Sequence, residues 1–234
     1  MRTPLQGVRQ IVRFNWPFYA TATTVIPTAL FLGGPWLQAL AAATAYLTLA
    51  SLAASYWVYD HSDLYQLPWL PAALPTPCRQ ALNLHAGLDE FTPLLRAHLP
   101  ATHWQTADFY NPAEITEPSI ARARTPGAAP LNYRHWPHPD ASLDAVLLLF
   151  SAHEIRLPAG RRALFAEAAR CLRPGGRLLV LEHLRDLPNL LVYGPGALHF
   201  FSRQSWQESY PGLTLNREHR LTPFTTLFIL EKPC

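Results

Sequence analysis

Charge is scarce in this chain. Asp, Glu, Lys and Arg make up 15% of its 234 residues, against about 25% in an ordinary soluble domain. Lysine has almost vanished: Lys232 stands alone beside 18 arginines, a bias that with abundant Ala, Leu and Pro leans towards a GC-rich bacterial genome. A formal net charge of +3 makes no case for a nucleic-acid partner. Cysteine is thin as well. Cys78, Cys171 and Cys234 are an odd number at no metal-like spacing, which argues against a disulfide framework or a cysteine metal site and for free thiols in a reduced compartment. No internal repeat is visible. The most telling absence is local: residues 14–59 form a run of 46 positions without a charged side chain or histidine.

A helix crosses the hydrocarbon layer with about 20 mostly apolar residues, and one Asp, Lys or Arg at its centre costs roughly 2.5 to 3.5 kcal/mol. The uncharged run therefore fits two spans, at 16–32 and 36–58, broken at Gly33, Gly34 and Pro35, where glycine frees the backbone and proline removes a donor. Trp16, Trp36, Tyr56 and Trp57 fall near the expected interfaces. The first span is the less apolar, because it contains Thr21, Thr23, Thr24, Thr28 and Pro27. A water-soluble helical hairpin and a cleaved signal peptide are the alternatives, although the run is about twice too long for a signal peptide. Arg2, Arg9 and Arg13 precede it, and the loop between the spans is uncharged. The positive-inside rule then keeps the N-terminus and the rest of the chain on the cytoplasmic side of a bacterial inner membrane.

Residues 60–78 are rich in aromatics and contain Pro68, Pro71, Pro75 and Pro77, which reads as a juxtamembrane connector or a lid rather than a long helix. Asp60, His61 and Asp63 lie there without a second cluster that would make them metal ligands. Residues 79–234 alternate strands and helices, the pattern of an α/β fold with a mostly parallel sheet and helices on both faces. Strands are expected at 81–84, 104–108, 144–150, 177–182 and 227–231. Helices are expected at 91–98, 117–124 and 161–172, the second capped by Ser119 and the third ended by Pro174, Gly175 and Gly176. The 144–150 run (DAVLLLF) has the continuous apolarity of a strand buried on both faces.

Residues 139–146 (PDASLDAV), the helix ending at Arg170 and residues 172–182 (LRPGGRLLVLE) resemble the second half of the class I S-adenosylmethionine-dependent methyltransferases. The resemblance covers residues 79–234. It implies a Rossmann-like fold, S-adenosylmethionine as cofactor and methyl transfer as the reaction. The family's glycine-rich loop, D-x-G-x-G-x-G-E, aligns with Asn83, Leu84, His85, Ala86, Gly87, Leu88, Asp89 and Glu90, of which only Gly87 and Glu90 match. His85 and Asp89 thus either reshape the loop or fill part of the cofactor pocket. Asp108 matches the family's acid for the ribose hydroxyls, and Asn132 stands where an Asp often takes the adenine amino group; an amide oxygen can also accept that bond. Phe109 and Ser151 complete the cofactor-binding set that the resemblance implies.

In open α/β sheets ligands bind beyond the carboxyl ends of the strands. His153, Glu154 and Arg156 follow the fourth main strand, and Glu182, His183, Arg185 and Asp186 close the fifth, so two polar clusters are expected to meet. His153 or His183 would serve as general base, with Glu154 or Glu182 orienting the imidazole; the plain alternative is helix capping, with Arg156 paired to Glu154 on the surface. His85, His153 and His183 together would offer three zinc ligands, but no short spacing supports a metal, and none is assigned. The apolar segment 188–206 walls an apolar pocket, lies on a membrane or packs in the core. With the two spans, it favours a small lipid or quinone-like acceptor. The departures in the glycine loop leave two readings: an active enzyme, or a membrane-tethered binding or scaffold module on the same fold. The sequence does not fix the oligomeric state.

Overall fold

A computed structural model describes residues 3–125 and 127–234. Arg2, one of the three arginines that set the expected orientation, lies outside them. The chain forms two units, Met1–Ser62 with Arg185–His199, and Asp63–Leu184 with Phe200–Cys234.

The first unit is helical: α1 (Gln6–Phe14), α2 (Trp16–Leu32), α3 (Pro35–Tyr56) and α8 (Leu187–Tyr193). Helix α1 has an amphipathic sequence that carries Arg9 and Arg13. The Asp60 carboxylate accepts the backbone N–H groups of Gly7 and Val8, both at 2.9 Å, a charge-assisted closure of the α1 N-terminus. Gly7 is required there, because a Cβ would lie 2.2 Å from that of Tyr59. Helices α2 and α3 each have proline in the first turn, where the missing N–H costs nothing, and Gly33 ends α2 at φ +72°. Neither helix separates a polar from an apolar face. Phe18, Phe31 and Trp36 are 74%, 89% and 87% exposed. Among the described residues, one helical stretch, Pro35–Gln66, is long and apolar enough to cross a membrane. At 17 residues, α2 sits at the lower limit of about 17–25 for a span. Two spans were expected, and one stretch meets the criterion. Residues 185–199, which the sequence places inside the α/β half, fold with these helices.

The second unit is a seven-stranded sheet in the order β3-β2-β1-β4-β5-β7-β6. Its strands are β1 (Gln80–His85), β2 (His103–Asp108), β3 (Ala129–Pro130), β4 (Leu143–Leu149), β5 (Leu172–His183), β6 (Thr214–Thr222) and β7 (Thr225–Glu231). The first five pair in parallel, and β7 runs antiparallel to β5 and to β6. Helices α4 (Leu70–Ala73), α5 (Thr92–His98), α6 (Pro118–Ala123), α7 (Pro158–Cys171) and α9 (Arg203–Gln207) complete it. Every residue of β4 is buried, as a central parallel strand requires. Its one acid, Asp144, accepts the N–H groups of Arg79 and Gln80 at 2.8 Å and the Arg173 guanidinium at 2.8 Å, pinning the start of β1 to β4.

Helix α7 stops at Cys171, before the Pro-Gly-Gly string expected to end it. Leu172 already pairs with Leu143, and the next pair is Ala145 with Arg177, so residues 173–176 loop out as a bulge within β5. Gly175 takes φ +73° there, and a Cβ on Gly176 would lie 2.8 Å from the Arg173 carbonyl. The motif is thus a device for register rather than a helix stop. Strands β3 and β6 are additional to those expected. The first has two residues, and the second (TLNREHRLT) is a charged, exposed edge, the composition that keeps an edge from pairing with another chain.

Candidate cofactor and acceptor site

Strands β1 and β2 end side by side, with His85 paired to Asp108. The chain turns at Gly87, φ +89°, a conformation that glycine adopts without strain. Asp108 is buried, and its Oδ1 accepts the N–H groups of Gly87 and Tyr110, both at 2.8 Å. One carboxylate oxygen therefore ties together the loops that leave both strands. Asp89 is committed to the fold. Its Oδ1 accepts from Phe91 and Thr92 N–H at 3.2 and 2.9 Å, closing the turn into α5, and its Oδ2 accepts from the Thr106 hydroxyl at 3.2 Å. His85 is 3% exposed, with Nδ1 3.8 Å from Asp108 Oδ1. Burial pushes its pKa below the ordinary imidazole value against the opposing pull of Asp89 and Asp108, which leaves it neutral at pH 7.

A cleft of about 330 Å³ opens beside Asp108, lined by Phe109, Asn132, Tyr133, Glu114 and Arg134 among others. That is the small end of the roughly 300–1,000 Å³ typical of ligand sites. The structure thus brings Asp108, Phe109 and Asn132 to one place. The Asn132 amide oxygen accepts from the Arg134 N–H at 2.9 Å. Glu114 receives the Arg134 guanidinium through two bonds, 2.8 and 3.2 Å, and the Tyr133 hydroxyl. The bond from Arg134 and that from Tyr133 hold Glu114 below the usual carboxylate range. Burial and the Glu114 carboxylate push the Tyr133 phenol up to about 12. Glu114, Tyr133 and Arg134 escaped the sequence reading, since Glu114 comes from a different loop and no motif marks it.

The second cluster lies beyond β4 and β5. His153 sits in a 3-10 turn, Ala152–Glu154. Its Nδ1 is 2.6 Å from Glu182 Oε2, its Nε2 is 3.1 Å from Glu154 Oε1, and its backbone N–H donates to Glu182 Oε1 at 3.2 Å. The three side chains are 13%, 1% and 2% exposed in the order His153, Glu182 and Glu154. Burial alone would lower the imidazole pKa, but the Glu182 and Glu154 carboxylates override it and push it up to about 10. A carboxylate at each ring nitrogen favours the imidazolium form, which donates from both. In that form it has no lone pair to offer, whereas the expected role was that of a base.

His183 does not join this cluster. Successive residues of a strand face opposite sides, so Glu182 turns to His153 while His183 stacks between Phe150 and Phe200, with centroids 5.3 and 4.9 Å away. Ser151 donates to the Leu84 carbonyl at 2.9 Å, tying β4 to β1. Glu154, expected near the surface, is buried, and the Arg156 guanidinium donates to the His153 carbonyl at 3.2 Å. Arg156 lies over the Phe201 ring at 4.4 Å, and Arg161 covers the same ring at 3.8 Å. Ser119 lies within α6 and donates to Glu117, the residue at the cap position.

The residues at the ends of β1 and β2 suit the two parts of S-adenosylmethionine differently. The cleft offers a nucleoside an acid, an amide and aromatic walls. The loop offers its amino-acid end side chains instead of bare glycine backbone. Asn83 and His85, two apart and hence on one face of β1, are both buried. Among the described residues, Asn83 Oδ1 and both ring nitrogens of His85 have no hydrogen-bond partner, although such groups are almost always satisfied in folded proteins. One unfilled acceptor beside a group that both donates and accepts matches an ammonium and a carboxylate. On that ground the site fits the cofactor.

Comparison with known proteins agrees with the architecture. Residues 107–180 match a methyltransferase domain family. No curated protein matches the chain in sequence. Among solved structures, an S-adenosylmethionine-dependent methyltransferase from Methanosarcina mazei is similar at 16% identity and TM-score 0.50, over 71% of this chain and 97% of its own. An O-methyltransferase family 2 protein from Planctomyces limnophilus, solved in complex with apigenin, is similar at 22% identity and TM-score 0.51, over 84% of this chain and 68% of its own. The [4+2]-cyclase SpnF is similar at 16% identity and TM-score 0.52, over 73% and 82%. At such identities the likeness speaks for fold: this is a methyltransferase-fold protein, and residues 107–180, about a third of the chain, match the family model.

Proposed function

We propose that this protein is a membrane-anchored methyltransferase that uses S-adenosylmethionine and acts on a small lipophilic acceptor, such as a quinone, an isoprenoid, a fatty acyl group or a phospholipid head group. The observation that carries the reading is the cleft beside Asp108, at the strand ends where an open α/β sheet takes its ligand. S-adenosylmethionine, when bound, supplies an electrophilic methyl group. Asp108, held through one oxygen by two backbone N–H groups, keeps its second oxygen for ribose hydroxyls. Asn132 meets the adenine edge, Phe109 and Tyr133 wall the base, and Asn83 with His85 receives the amino-acid end. The Glu182, His153 and Glu154 cluster positions and polarises rather than removes a proton. Methyl transfer needs chiefly alignment and close approach, so a carbon or neutral amine nucleophile is served without a base.

The exposed apolar surfaces of α2 and α3 support the anchor. Arg9 and Arg13 on α1 support a cytoplasmic N-terminus at a bacterial inner membrane. A second reading, a tethered binding module or a different reaction on the same fold, is favoured by His85 and Asp89 in place of two glycines. Calorimetry on the detergent-solubilised protein decides between them. Micromolar binding of S-adenosylmethionine and S-adenosylhomocysteine, weakened about 100-fold by Asp108→Ala as loss of charge-assisted bonds implies, supports the enzyme. Absence of binding by the folded protein at millimolar ligand rejects it.

A further inference from the structure

The segment that follows β5 has no charged side chain from Leu187 to Leu198, and Leu187, Leu191 and Leu198 are 67%, 53% and 58% exposed. Large apolar side chains left exposed close together in one short uncharged segment point to an interaction surface. Its attachment within the helical unit says what covers it. The Tyr46 hydroxyl donates to the Leu191 carbonyl at 3.1 Å. Gly194, at φ +51°, lies so close to Leu47 that a Cβ would come within 2.9 Å of a leucine methyl. Tyr46 and Leu47 are the middle of α3, whose 22 residues from Pro35 to Tyr56 measure about 33 Å at 1.5 Å per residue, close to the roughly 30 Å of bilayer hydrocarbon. If α3 spans, whatever is fastened to its middle lies about 15 Å from either surface.

We propose that residues 187–198 form a re-entrant element within the bilayer, its exposed leucines in contact with lipid acyl chains. The proposal rests on the reading of the hairpin as a membrane element and extends it to a segment that the chain inserts into its α/β half. Its local structure meets what hydrocarbon demands of a backbone. At the α8 N-terminus Asp186 accepts from Asn189 N–H through its side chain at 3.2 Å and from Leu190 N–H through its carbonyl at 2.9 Å, and the Leu191 carbonyl, near the other end, takes the Tyr46 hydroxyl. The turn after α8 lies against α3, and irregular backbone at membrane depth is tolerated where protein covers it. An acceptor with an acyl or isoprenoid tail would then meet this segment without leaving the lipid phase.

The test places an environment-sensitive fluorophore on single cysteines at Leu40, Leu191, Leu198 and Arg217 in full-length protein bearing Cys234→Ser. The two remaining thiols, Cys78 (half-buried) and Cys171 (buried), are replaced by serine and alanine, so that each protein carries one reactive thiol. The labelled proteins are reconstituted in phosphatidylcholine vesicles that carry a spin-label quencher either at the head group or near the acyl-chain end. The expected result is that labels at Leu40, Leu191 and Leu198 are quenched severalfold more by the deep probe than by the shallow one, while Arg217, on the exposed edge strand, is quenched by neither. Deep quenching at Leu40 without it at Leu191 and Leu198 overturns the proposal and leaves the hairpin in the membrane. No deep quenching at Leu40 overturns the membrane reading and the proposal with it. Gly194→Leu, which wedges the segment off α3, should abolish deep quenching at Leu191 and spare that at Leu40; retention at Leu191 counts against α3 as its anchor.

Discussion

Two polar clusters stand at the ends of the same sheet and are built on opposite terms. Beyond β4 and β5, His153 is gripped through both ring nitrogens by Glu182 and Glu154. At the end of β1, His85 is more deeply buried yet has no hydrogen-bond partner on either nitrogen among the described residues, and Asn83 keeps an open acceptor beside it. A closed network fixes a charge and a geometry, whereas an open one holds a debt that a ligand can settle. The same residue type is therefore held in two ways: His153 inside a closed network, and His85 beside groups whose hydrogen-bonding capacity is unfilled among the described residues, the side that the proposed function assigns to the cofactor.

The largest effect expected from breaking this contrast is at Glu182. Glu182→Ala leaves the buried His153 with one carboxylate and should cost about 3 kcal/mol of stability, the low end for breaking a buried pair, as read by chemical denaturation. Glu182→Gln keeps the shape and removes the charge. It should lower the His153 pKa by about 1 to 3 units from its value near 10, followed by the imidazole proton resonances. A pKa raised on folding contributes stability that is complete below the unfolded value of about 6.5 and is lost as pH rises to the folded value. Wild-type stability should therefore fall between pH 6.5 and about 10, and that slope should flatten in Glu182→Gln. A His153 resonance that titrates near 6.5 in the wild type would show the cluster to be open.

His85 should respond the other way. His85→Ala removes a buried group with no hydrogen-bond partner, so the loss of packing is offset by relief of an unmet desolvation cost, and stability should change by less than about 1 kcal/mol. Affinity for S-adenosylhomocysteine should fall about tenfold, equivalent to one hydrogen bond of about 1.4 kcal/mol. Binding of 5′-methylthioadenosine, which lacks the amino-acid end, should be unaffected. Equal losses for both ligands would mean that His85 only shapes the loop.

The sequence made one part of this contrast legible and concealed the other. Asp108 and Asn132 could be placed because strand ends are read from apolar runs and the family pattern fixes two positions beside them. The pairing of His153 with Glu182 followed from strands that neighbour in the sheet. The same rule misplaced His183, because strand alternation sends it to the opposite face from Glu182 and into a stack of aromatic rings. Glu114 and Arg134 were invisible, since they sit in separate loops 20 positions apart, on either side of α6 and β3, with no periodicity to announce their meeting. The bulge at residues 173–176 was read as a helix stop because Pro-Gly-Gly usually breaks structure, whereas here Gly175 and Lys232 pair across the bulge. The attachment of residues 185–199 to α3 depends on a close glycine contact that composition does not encode.

The smallest effect expected is at Asn132, where the family pattern would have an acid. Asn132→Asp restores the charge that the pattern prefers for the adenine amino group, and a carboxylate accepts more strongly than an amide. Two features blunt the gain. The side-chain oxygen is already used by the Arg134 N–H at 2.9 Å, and Glu114 already supplies a carboxylate among the residues that line the cleft. Repulsion between two acids should cancel much of the stronger bond, so affinity for S-adenosylhomocysteine should rise by no more than about fivefold, or 1 kcal/mol. Combining the change with Glu114→Gln, which removes the competing charge, should release the remainder, and non-additivity in that double-mutant cycle is the measurable sign that both residues face one ligand. Strict additivity would place Asn132 away from the base and leave Asp108 as the sole polar anchor of the nucleoside.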